Sequence, residues 1–140
     1  MAALKALGVL ALGLKELFLD AGNIGMVVPA CTEKMVHKNT QIATLSHHTL
    51  DILNTYVYDV KALWPIWEKV LAHKLPTVRT QALKWANRCL LNEKNAMDQK
   101  LATSVVGIIF KQLKDGSPDV RADASSALSG MFFVWSLFHL

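Results

Sequence analysis

The sequence predicts an all-α chain, a solenoid of helical hairpins with about three hairpins behind a leading helix. Three observations predict it. Apolar residues recur every three or four positions, sustained strand-type alternation is absent, and one turn motif returns at nearly regular spacing. The clearest hairpin spans residues 63–91. Leu63, Trp64, Trp67, Val70 and Leu71 form its first apolar stripe, and Pro65 reads as a first-turn residue, where a missing N–H costs nothing. Pro76 reads as the stop of that helix and Thr77 as the cap of the next. The second stripe is Val78, Ala82, Trp85 and Cys89, with Ala86 and Leu90 beside it. Neither helix can bury its apolar face alone.

The other elements follow in order. Residues 1–19 read as one amphipathic helix stepping through Leu4, Leu7, Leu10, Leu14 and Leu17, ended near Gly22. Its apolar start with Lys5 and Lys15 also has the look of a leader, but it lacks a small-residue cleavage site and runs on into more helix. Residues 26–36 form the next helix, with Pro29 in its first turn. The chain then turns at His37, Lys38, Asn39 and Thr40, and a partner helix follows over 41–54. After the hairpin at 63–91 comes a polar linker around 92–95. A helix over 101–113 breaks at Lys114-Asp115-Gly116-Ser117-Pro118-Asp119, and the last helix carries Val120, Ala124, Ala127, Leu128 and Met131. The apolar run at 131–140 is too short to cross a membrane. It should pack against something, or it marks where the chain has been cut or rerouted. The whole reads as a single domain over 1–140, in units of roughly 1–22, 23–57, 58–95 and 99–134.

The 140 residues suffice for one domain with a core, and a composition 52% hydrophobic and 19% charged speaks against disorder. The net charge of +4 and pI of about 9.2 are a mild basic bias that suits an acidic partner or a solvated basic face. Cys31 and Cys89 sit far apart in apolar helical context and read as reduced core residues of a cytosolic protein. No stretch reaches the roughly 18 to 20 apolar residues that a membrane span needs.

The repeat carries the most information. Pro29 and Pro65 stand 36 residues apart, as do His37-Lys38 and His73-Lys74. Pro76-Thr77-Val78-Arg79 then returns 42 residues later as Pro118-Asp119-Val120-Arg121, with Ala82 and Ala124 closing the shared Pro-x-Val-Arg-x-x-Ala pattern. A helical pair of this period lies in the range of HEAT and armadillo repeats. Asp115 and Arg121 stand where HEAT repeats place an aspartate and an arginine.

The series ALKALGVLALGLKELF, VVPACTEKMVHKNTQIATLSHHTLDIL, IWEKVLAHKLPTVRTQALKWANRCL and IIFKQLKDGSPDVRADASSALSGMF resembles, in that order, the TOG domain of the microtubule polymerase family. The resemblance covers Leu4 to about Met131, the end of a second repeat through a fifth. It implies a non-enzymatic module of the cytoplasm and cytoskeleton that binds αβ-tubulin or microtubule ends. The contact would run along one edge, through the turn inside each hairpin. Carried over by position, those turns hold Lys38 and Asn39 with His37 and Thr40; Lys74 and Thr77 with His73 and Leu75, and Arg79 just inside the helix; and Lys114 with Gly116, Ser117 and Asp119, with Arg121 similarly placed. Lysines on one edge suit an acidic partner. The plainer reading is that the lysines are solvated and the two arginines serve only packing between repeats.

A full domain of that family has six repeats, the first contributing an exposed tryptophan. That turn and the second-repeat turn are missing here, so the chain reads as a partial domain whose exposed ends would offer self-association. Trp64, Trp67 and Trp85 lie inside helices and read as packing. No catalytic constellation, metal site, cofactor motif or small-molecule site emerges: His47 and His48 are adjacent and point about 100° apart on a helix, and there is no phosphate loop or nucleophile elbow. The competing function is a general HEAT scaffold holding a peptide or helix in a concave groove. Nucleic acid binding would rest on the basic bias alone, without an aromatic-and-basic platform.

Overall fold

A computed structural model of the chain describes residues 21–56, 58–91 and 97–138, together with Ala2 and Lys5 in the leading stretch. The helix read over residues 1–19 and most of the polar linker therefore lie outside the described residues. The described chain is all-helical, with no strand. Its elements are α1 (Ala21–Lys34), α2 (Thr40–Tyr56), α3 (Val60–Val70), α4 (Pro76–Leu90), α5 (Gln99–Gln112) and α6 (Pro118–Phe138).

Each odd helix packs on its successor, and the pairs then stack. α3 lies between α1 and α5 in one layer, while α4 lies between α2 and α6 in the other. This two-layer order is consistent with an α-helical solenoid, and the core runs between the layers. Trp67 of α3 and Trp85 of α4 sit at its centre, 1% and 0% exposed, with ring centroids 5.5 Å apart and planes at 82°. That edge-to-face pairing directs one ring's positive rim at the other's negative face. Leu50, Leu53, Leu63 and Leu83 close around it, and Val105, Ile109 and Val120 extend it into the third pair. Small residues keep the second layer tight. Ala82, Ala86, Ala124 and Ala127 are buried, and a Cβ built on Gly130 would lie 2.8 Å from Asn87 Oδ1 and 3.3 Å from Leu91 Cδ2. At that point α4 and α6 are too close for a larger side chain without displacement.

Several helix boundaries differ from those expected. α1 already runs through Gly22 and Asn23, so Gly22 ends nothing, and Pro29 lies inside the helix rather than in its first turn. α3 likewise begins at Val60, and Pro65 is interior. Its true start is marked by Asp59, whose carboxylate accepts the Ala62 N–H at 2.9 Å. Asp98 starts α5 in the same way, accepting from Leu101 at 2.7 Å. Pro76 does not stop α3, which ends at Val70; it occupies the first position of α4, where its fixed φ suits the helix. Thr77 therefore cannot be the cap. Leu75 holds that place and makes no side-chain bond. Asp119 sits within the first turn of α6 rather than ahead of it.

Of the apolar C-terminal run, Met131 packs against the core and most of the rest is uncovered. α6 carries it on as helix to Phe138, leaving Phe132 76%, Phe133 65% and Leu137 60% exposed. Cys31 and Cys89 are buried free thiols, in keeping with their places on the apolar stripes. Burial pushes Cys31 up to about 11 and raises Cys89 as well, so neither is a ready nucleophile. No helix among the described residues is long and apolar enough to cross a membrane.

The two central indoles are also the core's polar defect, because neither Nε1–H meets an acceptor. Trp85→Ala should cost about 3–5 kcal/mol in urea unfolding, through the cavity it leaves. Trp85→Phe should cost no more than about 1–2 kcal/mol, since it also removes an unsatisfied donor.

Candidate binding edge at the hairpin turns

The turns inside the three pairs share one architecture. Each first helix ends in a tight wrap, with the N–H groups of His37, His73 and Asp115 donating to Lys34, Val70 and Gln112 carbonyls at 3.1, 3.0 and 3.1 Å. The same three residues then use their side chains to hold the turn. His37 Nδ1 accepts the Asn39 N–H at 3.0 Å, and His73 Nδ1 accepts the Leu75 N–H at 3.1 Å. Asp115 Oδ1 accepts the Ser117 N–H at 2.8 Å. A neutral histidine accepting at Nδ1 carries its hydrogen on Nε2, so both rings are held in one tautomer. The next helix begins one residue later each time, at Thr40, Pro76 and Pro118.

This shared geometry sets the register of the candidate residues. Lys38 and Lys74 occupy the same position, between acceptor and amide, and both are exposed. The third turn has Gly116 there. Lys114 is exposed but stands one residue ahead of the acceptor, equivalent to Val36 and Ala72. Asn39 caps α2: its Oδ1 accepts the Gln41 N–H at 2.9 Å, and its carbonyl accepts from Ala43 at 3.1 Å. Thr77 is exposed on the first turn of α4. With Thr80, Gln81, Lys84, Ser117 and Asp119 it lines a polar groove of about 470 Å³ between α4 and α6.

The two arginines of the repeated motif differ. Arg79 Nη1 donates to the His73 carbonyl at 2.6 Å, closing its own turn. Its Nε and Nη2 grip Asp115 Oδ2 and Oδ1 at 2.8 and 2.9 Å, joining the second turn to the third. The two side chains are only 15% and 10% exposed, and the bond is bidentate. Arg121 repeats the first half of this, with Nη1 donating to Asp115 O at 2.7 Å and Gly116 O at 3.3 Å, but it is exposed. The Arg79 hydrogen bond holds the Asp115 carboxyl below the usual range; burial opposes this, and the Ser117 amide reinforces it.

Of the candidate cations at these turns, Lys38, Lys74 and Lys114 are exposed, Arg121 is exposed with Nη1 engaged by its own turn, and Arg79 is committed internally. The sequence patterns alone do not single out the histidine acceptors, although the repeated His-Lys pair is a signal for them. Asp59 and Asp98 also escape those patterns, each an acid shortly before an apolar stripe. Among the described residues no group of His, Cys, Asp and Glu could hold a metal ion. His47 lies beside Arg88, with Nη2 3.3 Å from its Nδ1, and Arg88 also reaches Asp51 at 3.1 Å, linking α2 to α4.

The chain is similar to Protein MOR1 of Arabidopsis thaliana, 30% identical over 132 residues that make up 92% of this chain and 6% of that protein. It is similar to Protein MOR1 of Oryza sativa subsp. japonica to the same extent. The chain thus spans about 6% of the length of the curated relatives it matches. No family model matches it, and no solved structure matches it significantly.

Two outcomes test this geometry. Arg79→Ala should cost about 1.5–3 kcal/mol, as expected for hydrogen bonds to a charged group, and Arg121→Ala clearly less. Because Asp115 is held below its unfolded value, its stabilisation is complete at neutral pH and is lost as pH falls. The stability gap between wild type and Asp115→Asn should therefore narrow below about pH 4, in urea titrations across the acid range.

Proposed function

We infer that the chain is a non-enzymatic tubulin-binding module of the TOG type, built of HEAT-like hairpins and acting in the cytoplasm at the cytoskeleton. It engages αβ-tubulin through the turns of its hairpins, with Lys38 and Lys74 as the principal contacts and Lys114 and Arg121 as further positive charge. The observation that carries this reading is the recurrence of one turn geometry that presents an exposed lysine at the same position in consecutive pairs. The serial order of motifs supports it, as does the likeness to Protein MOR1 across 92% of the chain. An acidic partner would be steered by such an edge and bound more weakly as salt rises. Asn39 and Thr77 contribute shape at the edge, and Arg79 acts by holding the second and third turns in register.

The test is co-elution of the purified chain with unpolymerised tubulin at low and moderate salt. Wild type should form a complex at low salt that weakens at moderate salt. Lys38→Glu/Lys74→Glu should bind at least about tenfold more weakly, because it sets like charge against an acidic surface. Absence of any complex at low salt, with the chain folded and monomeric, overturns the reading. Gly116→Lys is the complementary variant. Space around that Cβ is open and no glycine there has positive φ, so the lysine fits, and binding should tighten a few-fold.

A further inference from the structure

The third turn contains the chain's only Asp-Gly sequence, Asp115-Gly116, and no Asn-Gly occurs. A backbone nitrogen can attack the side-chain Cγ of the residue before it, and glycine, lacking Cβ, leaves that nitrogen least hindered. In this turn the nucleophile is open. Gly116 is exposed, and the space where a Cβ would stand is empty. Among the described residues its N–H donates to no acceptor. Asp115 Oδ1 accepts the Ser117 N–H at 2.8 Å, which folds the carboxyl back over the Gly116 residue. Nucleophile and electrophile are therefore neighbours, and nothing encloses the nitrogen.

What stands against the reaction is Arg79. Attack requires a neutral carboxyl whose hydroxyl can leave, and a Cγ free to turn toward the nitrogen. Arg79 Nε and Nη2 hold Oδ2 and Oδ1 at 2.8 and 2.9 Å, so both oxygens are engaged and the plane of the group is fixed. The same hydrogen bond favours the ionised carboxylate, against the opposing effect of burial. Asp51 also meets an arginine, but there the branched Ile52 follows within α2, so the open nucleophile is missing.

We propose that Asp115-Gly116 is a site of spontaneous backbone isomerisation that the Arg79 fork suppresses. In the unrestrained reaction Gly116 N bonds to Asp115 Cγ, and the amide proton leaves with the carboxyl hydroxyl as water, closing a cyclic imide. Water then adds to one imide carbonyl. Breaking the bond from Cγ to nitrogen restores aspartate. Breaking the bond from the Asp115 main-chain carbonyl carbon to nitrogen gives isoaspartate, and no oxidant, reductant or further reactant enters. Isoaspartate carries Cβ and Cγ in the main chain and leaves the carboxylate on Cα. The turn becomes one carbon longer, and its carboxylate cannot receive both Arg79 and the Ser117 N–H in the same geometry. Conversion therefore undoes the bond that joins the second pair to the third, whatever the lysine edge binds.

The test is to age the full chain at physiological temperature and neutral pH, digest it, and measure isoaspartate at residue 115 by electron-transfer mass spectrometry. A synthetic peptide of residues 113–119 supplies the unrestrained rate. Wild type should convert at least about tenfold more slowly than the peptide, and Arg79→Ala at least about tenfold faster than wild type. Arg79→Lys keeps a cation but cannot engage both oxygens with a planar fork, so its rate should fall between the two. Adding Gly116→Ala to Arg79→Ala should remove most of the acceleration. Val105→Ala loosens the buried core of the third pair with the fork intact, so it should stay near the wild-type rate while folded. That variant separates release of the carboxylate from general loss of stability. A wild type that converts as fast as the peptide overturns the proposal. So do Arg79 variants that convert no faster than wild type, or a Val105→Ala acceleration equal to that of Arg79→Ala.

Discussion

The interlock of Arg79 with Asp115 is the constraint on which the arrangement of the second and third pairs depends. Stacked helical pairs touch only their neighbours, and an apolar layer alone permits sliding and rotation between them. A planar guanidinium on a carboxylate tolerates little of either, because both N–H groups must meet both oxygens. Arg79 also holds the His73 carbonyl, so the bond that joins the pairs is the one that closes the turn. Its low exposure matters: a freely solvated pair of the same geometry would contribute well under a kcal/mol. The Arg88–Asp51 pair between α2 and α4 is of that weaker kind, with 42% and 43% of the side chains exposed. At the first junction the residue equivalent to Arg79 is Ala43, so that junction relies on apolar packing and the Arg88 contacts.

The choice of turn acceptor follows from the same constraint. Histidine in the first two turns satisfies one amide through Nδ1 and brings no negative charge. Aspartate in the third satisfies the equivalent amide and can also receive Arg79. A histidine at 115 could hold the turn but not the arginine fork. Gaining the interlock adds a negative charge to the third turn, and with Gly116 in the lysine position that turn is the least positive at its apex. Lys114 and Arg121 restore positive charge only from flanking positions. Positive character is therefore concentrated on the first two turns, where packing places no competing demand on Lys38 and Lys74.

Much of this is legible in the sequence, for identifiable reasons. The 3.6-residue stripes locate all six described helices, and the repeated Pro-x-Val-Arg locates two helix starts and the arginine. Burial of Trp67, Trp85, Cys31 and Cys89 follows from their places on those stripes. Helix starts depart from expectation where proline is not the boundary it resembles. Pro65 is interior because Asp59 before it already satisfies and orients the first turn, and Pro29 lies inside a helix that begins at Ala21. Proline's cost is one lost hydrogen bond and a local clash, which tertiary packing can offset. Thr77 has the propensity of a cap without the position, because Pro76 just before it has already opened the helix. The offset of Lys114 is not visible in a pattern of lysines near turns. It requires the hydrogen bonds that identify His37, His73 and Asp115 as equivalents.

These offsets bear on how turns divide their work. A residue in a hairpin turn can close the turn, join it to the next pair, or face outward, and the hydrogen bonds determine which of these remain open to it. Arg79 does the first two and has no donor left for the third. Asn39 caps α2 with its side-chain oxygen but keeps its amide NH₂ available. Lys38 and Lys74 take no part in closing or joining, and their ammonium groups are carried by backbone that other residues have ordered. That is the condition under which a charged side chain can be changed with little effect on the fold and a large effect on a partner. The tryptophans of the central hairpin satisfy the opposite condition. They fix the core between the layers, and the rigidity they confer allows a short turn of ordinary residues to hold its lysine in one place.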